Sequence, residues 1–192
     1  MEIKGEYRIA ATRDKVFAAL NDPAVLQACI PGCESLEKSS DTEMKAKVRL
    51  RIGPVSASFT GKVTLSDIDP PNGYKISGEG QGGAAGFAKG GAVVKLADDA
   101  GATVLTYNVY AQVGGKIAQV GARLIDGTAK KLADEFFGKF ATMVGGPAPA
   151  AEASSQSVTT TVPPAAAQRG YKHWVIIGIG AAVLILVFLL RR

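Results

Sequence analysis

Apolar and polar positions follow three main patterns along this chain, and each marks a different kind of structure. From Met44 to Ile52 every second residue is apolar, and those between, Lys45, Lys47, Arg49 and Arg51, are basic. Successive strand side chains point to opposite faces, so strict alternation predicts a half-buried antiparallel strand. Gly53-Pro54 leads tightly into residues 55–65, which alternate as cleanly. Asp69-Pro70-Pro71-Asn72-Gly73 reads as a turn, residues 74–78 as a strand, and residues 81–86 as a glycine-rich loop. Residues 88–96 and 103–113 form a hairpin around Asp98-Asp99-Ala100-Gly101, and Gly114-Gly115 ends the sheet. Upstream, residues 2–9 predict a first strand. Thr12 is a candidate N-cap for a helix over residues 13–20, Asp22-Pro23 opens a second helix through Gln27, and residues 29–33 force a turn.

From Lys116 to Met143 the period becomes helical. Ile117, Val120, Gly121, Leu124, Ile125, Thr128, Leu132, Phe136 and Phe140 fall on one stripe at three- and four-residue spacing. An unbroken helix there would run roughly 42 Å and lie across most of the sheet.

The last change is the loss of polarity. Residues 174–190 carry no charge, and Arg191-Arg192 close the sequence. Such a helix is roughly 26 Å long, close to the ~30 Å hydrocarbon core. Lys172 and the arginines can snorkel, and Tyr171 and Trp174 suit the interfacial belt. The segment predicts a single membrane-spanning tail; the alternative is a helix that packs into a partner protein. The first residues show no secretory h-region, so the expectation is a cell-membrane protein with its N-terminal domain in the cytoplasm. Between domain and tail, residues 146–169 are rich in Pro, Ala, Ser and Thr and read as a flexible linker. The organisation is thus a domain over 1–145, a linker over 146–169 and an anchor over 170–192.

Charge and composition narrow the function. The domain carries 18 basic and 16 acidic residues, so the basic excess sits mainly in the tail and a nucleic-acid partner is not expected. The one histidine, His173, lies at the start of the apolar segment. No metal-ligand spacing is present, and the carboxylates fall in turns or on polar strand faces. No enzyme activity and no covalent cofactor are expected. Cys29 and Cys33 are either a redox pair or, as a cytoplasmic location favours, two reduced thiols in a turn. The glycine-rich run 78–91 lacks the Lys-Ser/Thr and helix of a phosphate loop; it is a mobile flap or a bulged bend. The stripe Lys45, Lys47, Arg49 and Arg51 is a solvated face, a contact for anionic lipid, or a contact for an acidic partner.

One strand, two short helices, a run of antiparallel strands and a long final helix is the order of the α+β helix-grip (START-like, SRPBCC) fold. There a curved antiparallel sheet wraps a long C-terminal helix. The segments Gly5-Glu6-Tyr7, Cys29-Ile30-Pro31-Gly32-Cys33-Glu34, Lys45-Ala46-Lys47-Val48 and Ile52-Gly53-Pro54-Val55 resemble the G-subunit family of carbon monoxide dehydrogenase, as do residues 122–133. The resemblance implies an accessory protein of a carbon monoxide dehydrogenase-type molybdenum hydroxylase. Such a protein would recruit the enzyme to the membrane and bind or carry a lipophilic quinone (menaquinone or ubiquinone). The alternative is a membrane-docking or assembly factor with no ligand. For a ligand cavity the candidates are Met44, Phe59, Val63, Ile76, Phe87, Val94 and Tyr107 on strands, with Gly121, Leu124 and Ile125 on the helix. Ala46, Ala57, Gly61, Gly78, Ala92 and Ala111 are small residues expected to face inward, leaving room for a guest unless the core collapses onto them. Tyr107, Tyr74 or Asn108 could supply a hydrogen bond to such a ligand.

Overall fold

The computed structural model describes residues 2–145, so the linker and the apolar tail lie outside the described residues. Alternation becomes seven strands: β1 (Glu2–Ile9), β2 (Cys33–Lys38), β3 (Glu43–Ile52), β4 (Val55–Asp69), β5 (Gly73–Gln81), β6 (Phe87–Asp99) and β7 (Ala102–Gly114). Helices α1 (Arg13–Leu20) and α2 (Pro23–Cys29) follow β1, and α3 (Ala122–Gly145) closes the domain. All pairings are antiparallel, in the order β1-β7-β6-β5-β4-β3-β2. Strands β2 to β7 therefore form a meander, and β1 returns to pair with the last strand. Among the described residues no helix is long and apolar enough to cross a membrane.

Parity sets the two faces of the sheet. On β3, Met44, Ala46, Val48, Leu50 and Ile52 are buried while the four basic residues between them are exposed. The pairing Met44↔Val63, Val63↔Gly78, Gly78↔Gly90 and Gly90↔Ala111 carries that inner face across to β7. Helix α3 covers the inner face with Ile125, Ala129, Ala133, Phe136, Phe137, Phe140 and Val144, all buried. Its backbone comes nearest the sheet at β1 and β3.

Local chemistry fixes the short helices. Asp22 caps α2, its carboxylate accepting from the Ala24 amide at 2.8 Å and the Val25 amide at 3.4 Å, and Pro23 opens the helix. Thr12 holds the extended backbone of an N-cap to α1 but makes no side-chain cap bond. After α2, Gly32 adopts φ +73°, and a Cβ there would lie 2.2 Å from the Arg49 carbonyl oxygen. The Arg49 amide donates to the Gly32 carbonyl at 2.8 Å, stitching this turn to β3. Only glycine fits so close an approach.

The structure adds one strand to the sequence reading, extends another and shortens the long helix. Residues 33–38 form β2, which their polarity conceals because Leu36 alone is buried. The glycine-rich loop lies where the sequence puts it, between β5 and β6, and holds a 3-10 turn over Gly83–Ala85; β5 runs on to Gln81, so Gly80 joins Gly78, Gly90 and Gly91 in strands. The long helix is interrupted. Residues Ala118–Val120 form a 3-10 turn, Gly121 turns the chain at φ +96°, and α3 begins at Ala122. A positive φ cannot continue a right-handed helix.

Candidate functional site

The space between sheet and α3 has two unlike ends. At the C-terminal end of α3, Phe136, Phe137 and Phe140 are almost wholly buried. Phe137 stacks on Tyr7 with centroids 4.0 Å apart and lies parallel to Tyr107 at 5.8 Å. Phe136 meets Phe140 at 5.7 Å and Phe137 edge-on at 5.0 Å. Offset and edge-to-face rings pack densely, and this end is closed.

At the other end small residues face small residues. The inner face runs Ala46↔Gly61↔Gly80↔Ala88 along one row and Gly78↔Gly90↔Ala111 along the next, with Ala92 beside them. The first half of α3 buries only Ile125, Ala129 and Ala133. Ala57, Val63, Ile76 and Val113 point inward yet are only partly buried. Apolar side chains on a covered face stay accessible only where the cover does not touch them.

Met44, Phe59, Val94, Tyr107 and Ile125 are buried in this interior, and Val63 and Ile76 line it half-buried. Three candidates sit elsewhere. Phe87 pairs with Gln81 and Gly114 on the outer face and is 36 % exposed, because its parity is opposite to that of Ala88. Gly121 is exposed, and a Cβ there would meet nothing within 4 Å. Leu124 is 53 % exposed and lies with Val120 beside the Gly53 turn, at the lip of the interior rather than in it. Gly127 is likewise exposed with open space around it, so it neither packs on the sheet nor lines the interior. Asn108 falls on the outer face, paired with Lys4 and Val93.

Polar groups mark the flank where α3 meets β1. The Tyr7 hydroxyl donates to Asp134 Oδ1 at 2.7 Å, and Lys130 Nζ donates to Asp134 Oδ2 at 3.0 Å. Burial, then this hydrogen bond, push the Tyr7 phenol well above the ordinary tyrosine range. Burial first, then the nearby Tyr7 and Asp134, push the Tyr107 phenol upward too, and its hydroxyl has no hydrogen-bond partner.

On the outer face, Lys45, Lys47, Arg49 and Arg51 are all exposed, but the stripe is partly neutralised. Glu34 pairs with Lys47 at 2.9 Å and with Arg49 at 3.9 Å, and its carboxyl is held below the usual range chiefly by the Lys47 hydrogen bond. Sequence reasoning missed Glu34 because it missed β2. Lys62 pairs with Glu43, and Lys75 with Asp67 at 2.6 Å. Shallow grooves of about 480 and 450 Å³ also open on this face, the first lined by Lys62, Lys89, Tyr110 and Gln112 and floored by Gly78 and Gly90. Cys29 is buried and Cys33 half-buried, and both are free thiols. Burial raises both above the ordinary thiol value, which disfavours the reactive thiolate. Among the described residues no group of three His, Cys, Asp or Glu side chains could hold a metal ion.

Known proteins place this architecture. A conserved protein from Geobacillus kaustophilus is 34 % identical, superposes with TM-score 0.71, and is matched over 75 % of this chain and 95 % of its own. A START superfamily protein from Mycobacterium smegmatis shares the fold at 12 % identity and TM-score 0.57, over 74 % of this chain and 96 % of its own. An aromatase/cyclase from a Streptomyces species does so at 14 % identity and TM-score 0.54, over 79 % and 98 %. Among curated proteins none matches. The family model that describes the G subunit of carbon monoxide dehydrogenase (CoxG) matches residues 5–145, the whole of the α+β domain but its first few residues, and the chain belongs to that family.

Proposed function

We propose that this chain is a non-catalytic accessory protein of a carbon monoxide dehydrogenase-type molybdenum hydroxylase. In this reading residues 170–192 hold it in the cell membrane, with the domain on the cytoplasmic side. The domain recruits the enzyme there and takes up a lipophilic quinone, menaquinone or ubiquinone, between sheet and helix. The observation that carries the reading is the half-buried apolar inner face of β4 and β5, at Ala57, Val63 and Ile76, among the cross-strand glycines Gly61, Gly78 and Gly80. An apolar guest would cover that surface at about 25 cal/mol per Å² buried. Family membership supports the enzyme partner, and the uncharged run 174–190 supports the membrane. The basic outer face of β3, with Lys45 and Arg51 outside the Glu34 cluster, offers a contact for anionic lipid or an acidic enzyme surface.

The test is to purify the full chain from membranes and identify co-extracted lipid by mass spectrometry. A quinone is expected with the protein, and the hydroxylase is expected in the membrane fraction only while residues 170–192 are present. Protein recovered without lipid, beside an enzyme that still moves to the membrane, leaves the docking-only alternative in its place.

A further inference from the structure

Tyr107 is 4 % exposed, projects from β7 into the space beneath α3, and leaves its hydroxyl without a hydrogen-bond partner. A buried polar group without a partner is costly, so it survives only where something else offsets it. Its neighbours are accounted for. The Tyr7 hydroxyl is committed to Asp134, and Phe137 offers only a parallel ring face. Beside Tyr107 on the inner face of β7 and β6, Val109, Ala111 and Ala92 continue into the small-residue end. The other two donors that the sequence offers are poorly placed. Asn108 faces outward, and Tyr74 lies edge-on to Phe17 of α1 at 5.8 Å.

We propose that the Tyr107 hydroxyl is the recognition point for the polar end of the bound ligand, donating to a neutral acceptor such as a ring carbonyl. The apolar remainder of the ligand then runs along Ala92, Ala111 and Gly90 toward Val113 and the lip at Leu124. The inference rests on the carrier reading and adds to it a head-inward orientation. Two facts shape the head group. The phenol is raised far above ordinary tyrosine, so it stays a donor at any physiological pH. The Asp134 carboxylate lies close enough to disfavour the Tyr107 phenolate, and by the same sign it disfavours an anionic head.

The experiment titrates the full chain in detergent micelles with three probes of equal tail length. These are a naphthoquinone with a short isoprenoid tail, the alkylnaphthalene lacking both carbonyls, and a fatty acid. The wild type should bind the naphthoquinone about tenfold more tightly than the alkylnaphthalene, the effect of one buried hydrogen bond to a carbonyl. Tyr107→Phe should bind the two alike, and its ligand-free melting temperature should hold or rise by about 2–4 °C as the orphaned hydroxyl is removed. A variant that keeps the quinone preference overturns the assignment while the carrier reading stands. A lowered melting temperature overturns it as well, by showing a structural partner for the hydroxyl. Equal binding of the fatty acid overturns the neutral-acceptor chemistry. A wild type that binds no probe removes the carrier reading itself.

Discussion

The two halves of α3 face one sheet with different side chains. From Phe136 onward the helix presents Phe136, Phe137, Phe140 and Val144, and these meet Tyr7, Tyr107 and the short helices that carry Val16, Leu20 and Leu26. From Ala122 to Ala133 it buries Ile125, Ala129 and Ala133, while the inner face of the sheet carries glycines and alanines from β4 to β7. One amphipathic stripe thus does two jobs. Aromatic area at the closed end holds the helix in place, and at the other end, where residues are small, Val63 and Ile76 stay only half-buried. A helix packed evenly along its length would have settled onto the sheet and left Val63 and Ile76 inaccessible.

The comparison breaks most visibly at Phe140, which is fully buried and stacked on Phe136. Phe140→Ala should cost about 3–5 kcal/mol, since it removes a large side chain from a site that cannot collapse. That is a large share of the ~5–15 kcal/mol that holds a typical domain together. Denaturant unfolding of the domain checks it. A loss below about 1 kcal/mol would mean that the aromatic end is not what pins the helix.

The open end should respond with the opposite sign of intuition. Val63→Phe and Ile76→Phe add bulk to inward-facing, half-buried positions. Where the space is real, each should change stability by less than about 1 kcal/mol while lowering lipid uptake. In a filled core the same changes force strain worth about 1–3 kcal/mol. Calorimetry and lipid extraction on the same preparations separate the two cases. Destabilisation without loss of lipid would reverse the assignment of hollow and packed ends.

Much of this contrast is legible in the order of residues alone. The alternation of residues 44–52 declares its own parity, so the basic stripe and the inward Met44 and Ala46 follow from period. Phe87 misleads for the same reason in reverse. It opens β6 after Gly86, where no alternation precedes it, and only the pairing with Gly114 sets its face. Gly121 fits a helical stripe in spacing, but its positive φ is a backbone property that spacing does not carry. Leu124 sits one residue from the buried Ile125, and the step between adjacent helical residues takes it off the buried face to the lip. Glu34 stays hidden because β2 buries only Leu36, which leaves no period to read. The unpartnered hydroxyl of Tyr107 is a relation among distant residues, so no local pattern announces it.

The smallest expected effect comes from the tyrosines that border the closed end. Tyr7, Tyr74 and Tyr107 all have phenols raised above the ordinary range, in each case first by burial. Each proton is therefore held more tightly in the folded state than in the unfolded chain, where tyrosine titrates near pH ~10. The stability they contribute is fully present below that pH and is lost as pH rises toward the folded values. Unfolding free energy should be flat with respect to these groups up to about pH 10 and fall beyond it. Tyr7→Phe removes one of the three, along with the hydrogen bond to Asp134, so the tyrosine share of the alkaline slope, read from phenolate absorbance, should shrink by up to about one third. Ile76→Phe, at the open end, should leave that slope untouched. Denaturation curves across the alkaline range, read beside near-ultraviolet phenolate absorbance, make the comparison directly. An alkaline limb that Tyr7→Phe leaves unchanged would show that the flank between α3 and β1 is solvated rather than closed. The contrast between the two ends would then reduce to the phenylalanines alone.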